Sequence, residues 1–192
     1  MKKLLIVDTE TNGLPVTFNA PMSDVTNWPR ITQFAWELCW ENGETITQMC
    51  ELVKPDGWVI PKQKFWIENG FSTEENEKYG LDMQMLMKYF IADLEQADLL
   101  IAHNMSFDLP VITCEMFRYK LKPANKTEKY CTKLATTDIL KLPGFFGKYK
   151  WPSLEEAYTY FFGKMPSGAH QADFDVEACK KIYLAIQALN KQ

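Results

Sequence analysis

Leu4-Leu5-Ile6-Val7-Asp8-Thr9-Glu10-Thr11-Asn12-Gly13-Leu14 is an apolar run that ends in two acids and a turn. Four consecutive apolar residues bounded by a turn signal predict a strand buried on both faces, at the centre of a sheet. Side chains at i and i+2 of a strand share a face, so Asp8 and Glu10 point the same way. The stretch therefore places a pair of carboxylates at a strand's C-terminal end. Taken alone, that pair fits a solvated strand end running into a Thr-Asn-Gly turn as well as it fits a metal site.

The rest of the 192 residues supplies what can surround such a strand. This length suits one domain spanning 1–192, able to bury about 70% of its unfolded surface without staples. Five scattered cysteines, free of any C-x-x-C spacing, suit a reducing compartment and argue against zinc. The start, Met1-Lys2-Lys3 followed by a strand bearing acids, does not read as a signal peptide, and no stretch approaches membrane-spanning length. The expectation is a soluble cytoplasmic protein with no membrane contact. The net charge of −4, from 25 acids against 21 bases, argues against a broad basic surface for gripping long duplexes. It does not exclude a nucleic-acid substrate, because divalent cations bound to an acidic cleft turn it towards phosphate.

Along the chain, Pro15 to Arg30 reads as a long loop beside the acidic pair. Ile31 to Trp40 and Thr45 to Val53 read as strands joined by an Asn42-Gly43 hairpin turn. Pro55 to Gly70 reads as irregular. Ser72 opens a short helix, and Leu81 to Glu95 a longer one with Met83, Leu86, Met87, Phe90 and Leu94 at core spacing. Asp98 to Ala102 is the next buried strand, and the segment from His103 to Asp108 leads into a helix reaching about Tyr119. Lys129 to Thr132 reads as a last strand, followed by a brief helix over Leu134 to Leu140, a capping box at Ser153, a loop from Gly163 to Ala169, and a closing helix from Gln171 to Leu189. The pattern predicts an α/β domain whose mixed five-stranded sheet is flanked by helices, with the first and fourth strands adjacent and parallel.

Ligands of open α/β sheets bind outside the carboxyl ends of the strands. There, Asp108 in the first turns of its helix can face Asp8 and Glu10, although the helix dipole alone would also favour an acid at that place. His170 and the acids Asp173, Asp175 and Glu177 arrive at the start of the last helix on the same terms. The other histidine, His103, reads first as a hydrogen-bonded structural residue. Two like charges at about 4 Å repel by about 4 kcal/mol at an effective dielectric of about 20, so four clustered carboxylates need protons or cations. Hard oxygen ligands select magnesium or manganese. Two such ions clamp the attacking and leaving oxygens of a phosphoryl displacement, and a neutral histidine nearby can accept the proton of the attacking water. The residues thus point to metal-dependent phosphodiester hydrolysis.

Asp8 to Leu14, His103-Asn104-Met105-Ser106-Phe107-Asp108 and His170-Gln171-Ala172-Asp173-Phe174-Asp175 closely resemble, in order and spacing, the three motifs of the DEDDh branch of 3′-to-5′ exonucleases. That is the family of polymerase proofreading subunits, ribonuclease T and oligoribonuclease. The resemblance implies a ribonuclease-H-like fold, two divalent cations (Mg2+ or Mn2+) held by Asp8, Glu10, Asp108 and Asp175, and His170 as general base. It also implies that Thr11, Asn12 and Gly13 hold the 3′ end, that Leu14 wedges against the last base, and that Asn104 and Phe107 line the pocket. Asn12 stands where a Thr or Ser is frequent in the family. The implied activity releases 5′-mononucleotides from a nucleic-acid 3′ end, with single-stranded or frayed DNA as the first expectation and RNA ends or short oligoribonucleotides as the alternative. A DNA polymerase partner would follow from a proofreading role. A non-catalytic, polymerase-binding scaffold would be marked by the loss of a motif carboxylate, and all four are present.

Overall fold

The computed structural model describes residues 1–122, 127–164 and 171–190. Five strands form one mixed sheet in the order β3-β2-β1-β4-β5: β1 (Lys3–Thr11), β2 (Ile31–Trp40), β3 (Thr45–Leu52), β4 (Leu99–Ala102) and β5 (Glu128–Cys131). β1 pairs antiparallel with β2 and parallel with β4, and β5 continues parallel to β4. Three parallel strands therefore end on one side of the sheet. The β2–β3 hairpin turns at Gly43, whose φ of +90° suits a residue without a Cβ.

Alternation along the strands decides what each face can hold. Leu5, Val7, Phe34, Trp36 and Leu38 point to the face covered by α3 (Met83–Leu94) and α4 (Met105–Arg118). Phe34, Trp36 and Phe90 pack ring to ring there, with centroids 4.8 to 5.5 Å apart. The five stripe residues of α3, Met83 to Leu94, are all buried, as their spacing predicts. Each such side chain contributes about 1.5–3 kcal/mol of burial, so this face carries most of the apolar driving force.

The opposite face is read by Leu4, Ile6, Ala35, Cys39 and Ile101, against which α7 (Ala172–Leu189) packs through Val176, Cys179 and Tyr183. On this face β2 presents Gln33, Ala35, Glu37 and Cys39, residues that are small or polar. The small ones admit the helix closely, and the polar ones fix its position: Gln33 Oε1 accepts from the Ala172 N–H at 3.0 Å, and Lys180 Nζ donates to both oxygens of Glu37 at 2.6 and 2.8 Å. α5 (Thr132–Leu140) and α6 (Leu154–Phe162) complete this layer, and Ser153 with Glu156 forms the expected capping box.

Two places differ from the sequence reading. Thr132 is the first residue of α5 and not the end of β5, because its buried side chain turns inward to bond its neighbours. A short helix, α1 (Lys64–Glu68), occupies the segment read as irregular, ahead of α2 (Thr73–Tyr79); it has no capping side chain and buries no residue, so neither signal was available. The loop expected over Gly163 to Ala169 falls largely outside the described residues, and His170 lies outside them too.

Candidate active site

The parallel strands deliver the site. Asp8 and Glu10 extend the Leu4-Ile6 row of β1 beyond the core, on the face that α7 covers, and Asp175 sits in the first turn of α7 above them. One carboxylate oxygen from each of Asp8, Glu10 and Asp175 lies within 4.8 Å of the other two. Asp108 does not belong to that trio. It arrives from the α4 side of the sheet, 3% exposed, where Thr9 Oγ1 donates to its Oδ1 at 2.9 Å. Thr9, between the two acids of β1, necessarily faces the other way, and that is what lets it fix Asp108.

Both acids of β1 feel the charges of Asp108 and Asp175. Burial, and then the charges of Asp108, Asp175 and Glu10, raise the Asp8 carboxyl well above the usual carboxylate range. Burial, and then Asp175 and Asp108, push Glu10 up to about 8. Burial pushes Asp108 up to about 7, against the stabilising hydrogen bond from Thr9 and the positive charge of Lys133. Among the described residues, no lysine or arginine forms an ion pair with Asp8, Glu10 or Asp108. A set of hard oxygen donors held this close, and destabilised in its charged form by its own members, fits divalent cations of the magnesium class.

The other residues that the resemblance singles out make contacts of different kinds. The Asn12 side chain is engaged with the scaffold: Oδ1 accepts from the Arg30 N–H at 2.8 Å and Nδ2 donates to the Val59 carbonyl at 3.1 Å. Thr11 Oγ1 donates to the Gly13 carbonyl at 2.7 Å, and Trp66 Nε1 donates to the Thr11 carbonyl at 3.0 Å. These bonds shape the turn after β1, from which Leu14 stands out 76% exposed. Asn104 Oδ1 accepts from Ser106 Oγ and from Lys133 Nζ, at 3.1 and 3.2 Å, while Phe107 is half-buried against the α3/α4 core.

His103 is a satisfied structural residue. Its Nε2 faces the Pro152 carbonyl at 3.2 Å and must donate, so Nδ1 accepts from Thr132 Oγ1 at 2.9 Å. Burial, and then the neighbouring Lys133 charge, pushes its pKa down to about 4. It is neutral at physiological pH and has no ring nitrogen to spare. Of the loop aromatics, Trp28 is in the core and its Nε1 donates to the Pro21 carbonyl at 3.1 Å, whereas Phe145, Phe146 and Trp151 are exposed.

Lys133 was not singled out by the sequence. Its signal is positional: it follows the last parallel strand by two residues, and the end of β5 lies next to the end of β4. No helix among the described residues is long and apolar enough to cross a membrane.

No protein-family model matches the chain, and no curated relative matches it. Solved structures do. E. coli exonuclease I in complex with a dT13 oligonucleotide superposes with a TM-score of 0.76 at 18% identity, over 97% of this chain and 41% of that one. The zinc-ion-bound form of its complex with single-stranded DNA gives 0.75 at 18% identity, over 98% and 41%. The apo enzyme gives 0.74 at 16% identity, over 98% and 42%. This chain thus spans about two fifths of the length of the exonuclease I chains it resembles. The mixed five-stranded sheet flanked by helices is the ribonuclease-H-like fold of those exonucleases.

Proposed function

We propose that the protein is a metal-dependent 3′-to-5′ exonuclease that hydrolyses the terminal phosphodiester of single-stranded or frayed DNA and releases 5′-mononucleotides. The observation that carries this reading is the convergence of Asp8, Glu10 and Asp175 within 4.8 Å, with Asp108 electrostatically joined to Asp8, at the carboxyl ends of parallel strands. The fold shared with exonuclease I, which has been captured with oligonucleotides, supports it.

In this reading Asp8, Glu10, Asp108 and Asp175 hold two divalent cations. When bound, such cations supply Lewis-acid activation of water and neutralise charge on the leaving oxygen. The chain's own residues do the rest. Thr9 fixes one oxygen of the Asp108 carboxylate by its 2.9 Å hydrogen bond and so sets the orientation of that acid. The turn after β1, braced by Asn12 and Trp66, presents Leu14 to the last base. His170, five residues before Asp175 and outside the described residues, takes the water's proton.

The test is digestion of matched 3′-labelled and 5′-labelled single strands, one pair DNA and one pair RNA, with magnesium and with EDTA. Immediate release of labelled mononucleotide from the 3′ label, beside a shrinking 5′-labelled ladder that EDTA abolishes, is the expected result. Faster digestion of the RNA pair would move the substrate to RNA. No cleavage of any strand would overturn the proposal.

A further inference from the structure

The segment 142–152, between α5 and α6, is a small, tightly made hairpin with large aromatic rings outside it. Pro143 pairs with Tyr149, and the Lys150 N–H donates to the Leu142 carbonyl at 3.0 Å. A Cβ on Gly144 would lie 2.4 Å from the Lys148 carbonyl oxygen and 2.7 Å from the Lys150 nitrogen, so the closure demands glycine there. Yet this hairpin covers no core with its tip. Phe145 is 88% exposed and Phe146 fully so, the latter at a φ of +56° that a bulky side chain rarely adopts. Trp151, at the base, is 61% exposed. Large apolar rings left exposed mark a binding surface.

Charge and position say what binds. Lys148 and Lys150 are exposed along the same hairpin and Lys141 just before it, with Lys150 held by Glu156 at 2.6 Å. Lys133 Nζ sits 5.2 Å from the centroid of the Trp151 ring and donates to Asn104 Oδ1 at 3.2 Å. Its charge is also felt by Asp108. Behind the ring, the Pro152 carbonyl accepts from His103, which leads into the helix that bears Asp108. Lys133, whose charge reaches Asp108, thus leads to Trp151 at the base of the hairpin, whose tip carries Phe145 and Phe146.

We infer that these rings and lysines form a track that holds a single-stranded nucleic acid, stacking unpaired bases on Trp151, Phe145 and Phe146 while Lys133 and Lys148 meet phosphates. Rings alternating with lysines beside a phosphodiester site match the chemistry of an unpaired strand, whose every base offers a face and every link a negative charge. The assignment of these bases to positions 5′ of the scissile bond rests on the exonuclease reading above.

The variants are Trp151→Ala and the double Phe145→Ala/Phe146→Ala; the exposed rings make both compatible with folding, which thermal melts check. With a DNA dinucleotide and an oligothymidylate of about a dozen residues as substrates, the variants should raise KM for the long strand by about tenfold, keep its kcat, and erase the gain in kcat/KM with length. Binding of the same oligonucleotide, labelled and followed by fluorescence anisotropy in EDTA, should weaken by about the same factor and more steeply depend on salt in wild type than in Lys148→Glu. Unchanged KM across lengths together with unchanged anisotropy would overturn the track and leave the rings to a protein partner. If the wild type cleaves neither substrate, the exonuclease reading fails by itself, and the anisotropy measurement alone decides the track.

Discussion

Glu115, fully buried, and Asp8, only partly so, are acids with opposite surroundings. The Glu115 side chain is fully buried, and its Oε1 accepts from Arg30 Nε at 2.8 Å and Arg118 Nη1 at 2.9 Å, while Arg30 reaches on to Asp56 at 2.7 Å. Glu37 is treated the same way by Lys180. Asp8 instead has Glu10 and Asp175 within 4.8 Å and Asp108 behind it, with no lysine or arginine paired to it among the described residues. Where an acid serves the fold, this chain supplies the counter-charge from its own sequence. At the strand ends it gathers acids and leaves the counter-charge to come from outside, which is what a cation site requires.

The contrast breaks most visibly if the two groups respond alike to mutation. Asp8→Asn should lower kcat on a labelled oligonucleotide by on the order of a thousandfold. The same change should leave the cation-free protein as stable as wild type or more so, because it removes one member of a self-repelling set. A collapse of the thermal transition in that variant would put Asp8 in the same class as Glu115. Glu115→Ala, conversely, should cost about 3–5 kcal/mol in urea unfolding, since it removes the buried carboxylate that two partly buried guanidinium groups share. A loss below about 1 kcal/mol would show that the arginine pair adds no net stability.

His103 sharpens the comparison from the side of satisfied groups. Its folded pKa of about 4 lies below the unfolded value of 6.5, so it is neutral in the fold, and the unfolded chain binds the extra proton between those values. Its contribution is therefore intact at pH 7 and lost as pH falls from 6.5 towards about 4, by about 3 kcal/mol in total. The cleft acids slope the other way: with folded pKa values raised, they favour folding as pH falls. The difference between wild type and His103→Gln in pH-dependent melts isolates the histidine, and an unchanged acid limb in the variant would remove it from this role.

Much of this was legible in the chain. The run from Leu4 to Val7 could only be a central strand, and alternation then committed Asp8 and Glu10 to one face. The apolar spacing of α3 identified its buried side residue by residue. What could not be read depends on contacts distant in sequence. That Thr9 would hold Asp108 across 99 positions, and that Lys133 would lie against Asn104 and Trp151, follow only from which strand ends lie side by side. Nor does sequence distinguish a ring under a loop from one on it: Trp28 and Trp151 look alike in the chain, yet one is 4% exposed and the other 61%.

The most direct measurement is thermal denaturation of cation-free protein at pH 8 and at pH 5.5, with and without magnesium or manganese. At pH 8, near the raised value of about 8 for Glu10 and above that of about 7 for Asp108, these two acids carry more charge than at pH 5.5, which lies below both values. The expected result is a stabilisation of about 2.7 kcal/mol at pH 8 when the cation stands at about 100 times its Kd, much less at pH 5.5, and none in Asp8→Asn. A melting temperature indifferent to both cations at pH 8, or an equal gain in Asp8→Asn, would contradict the assignment of these acids to a cation site.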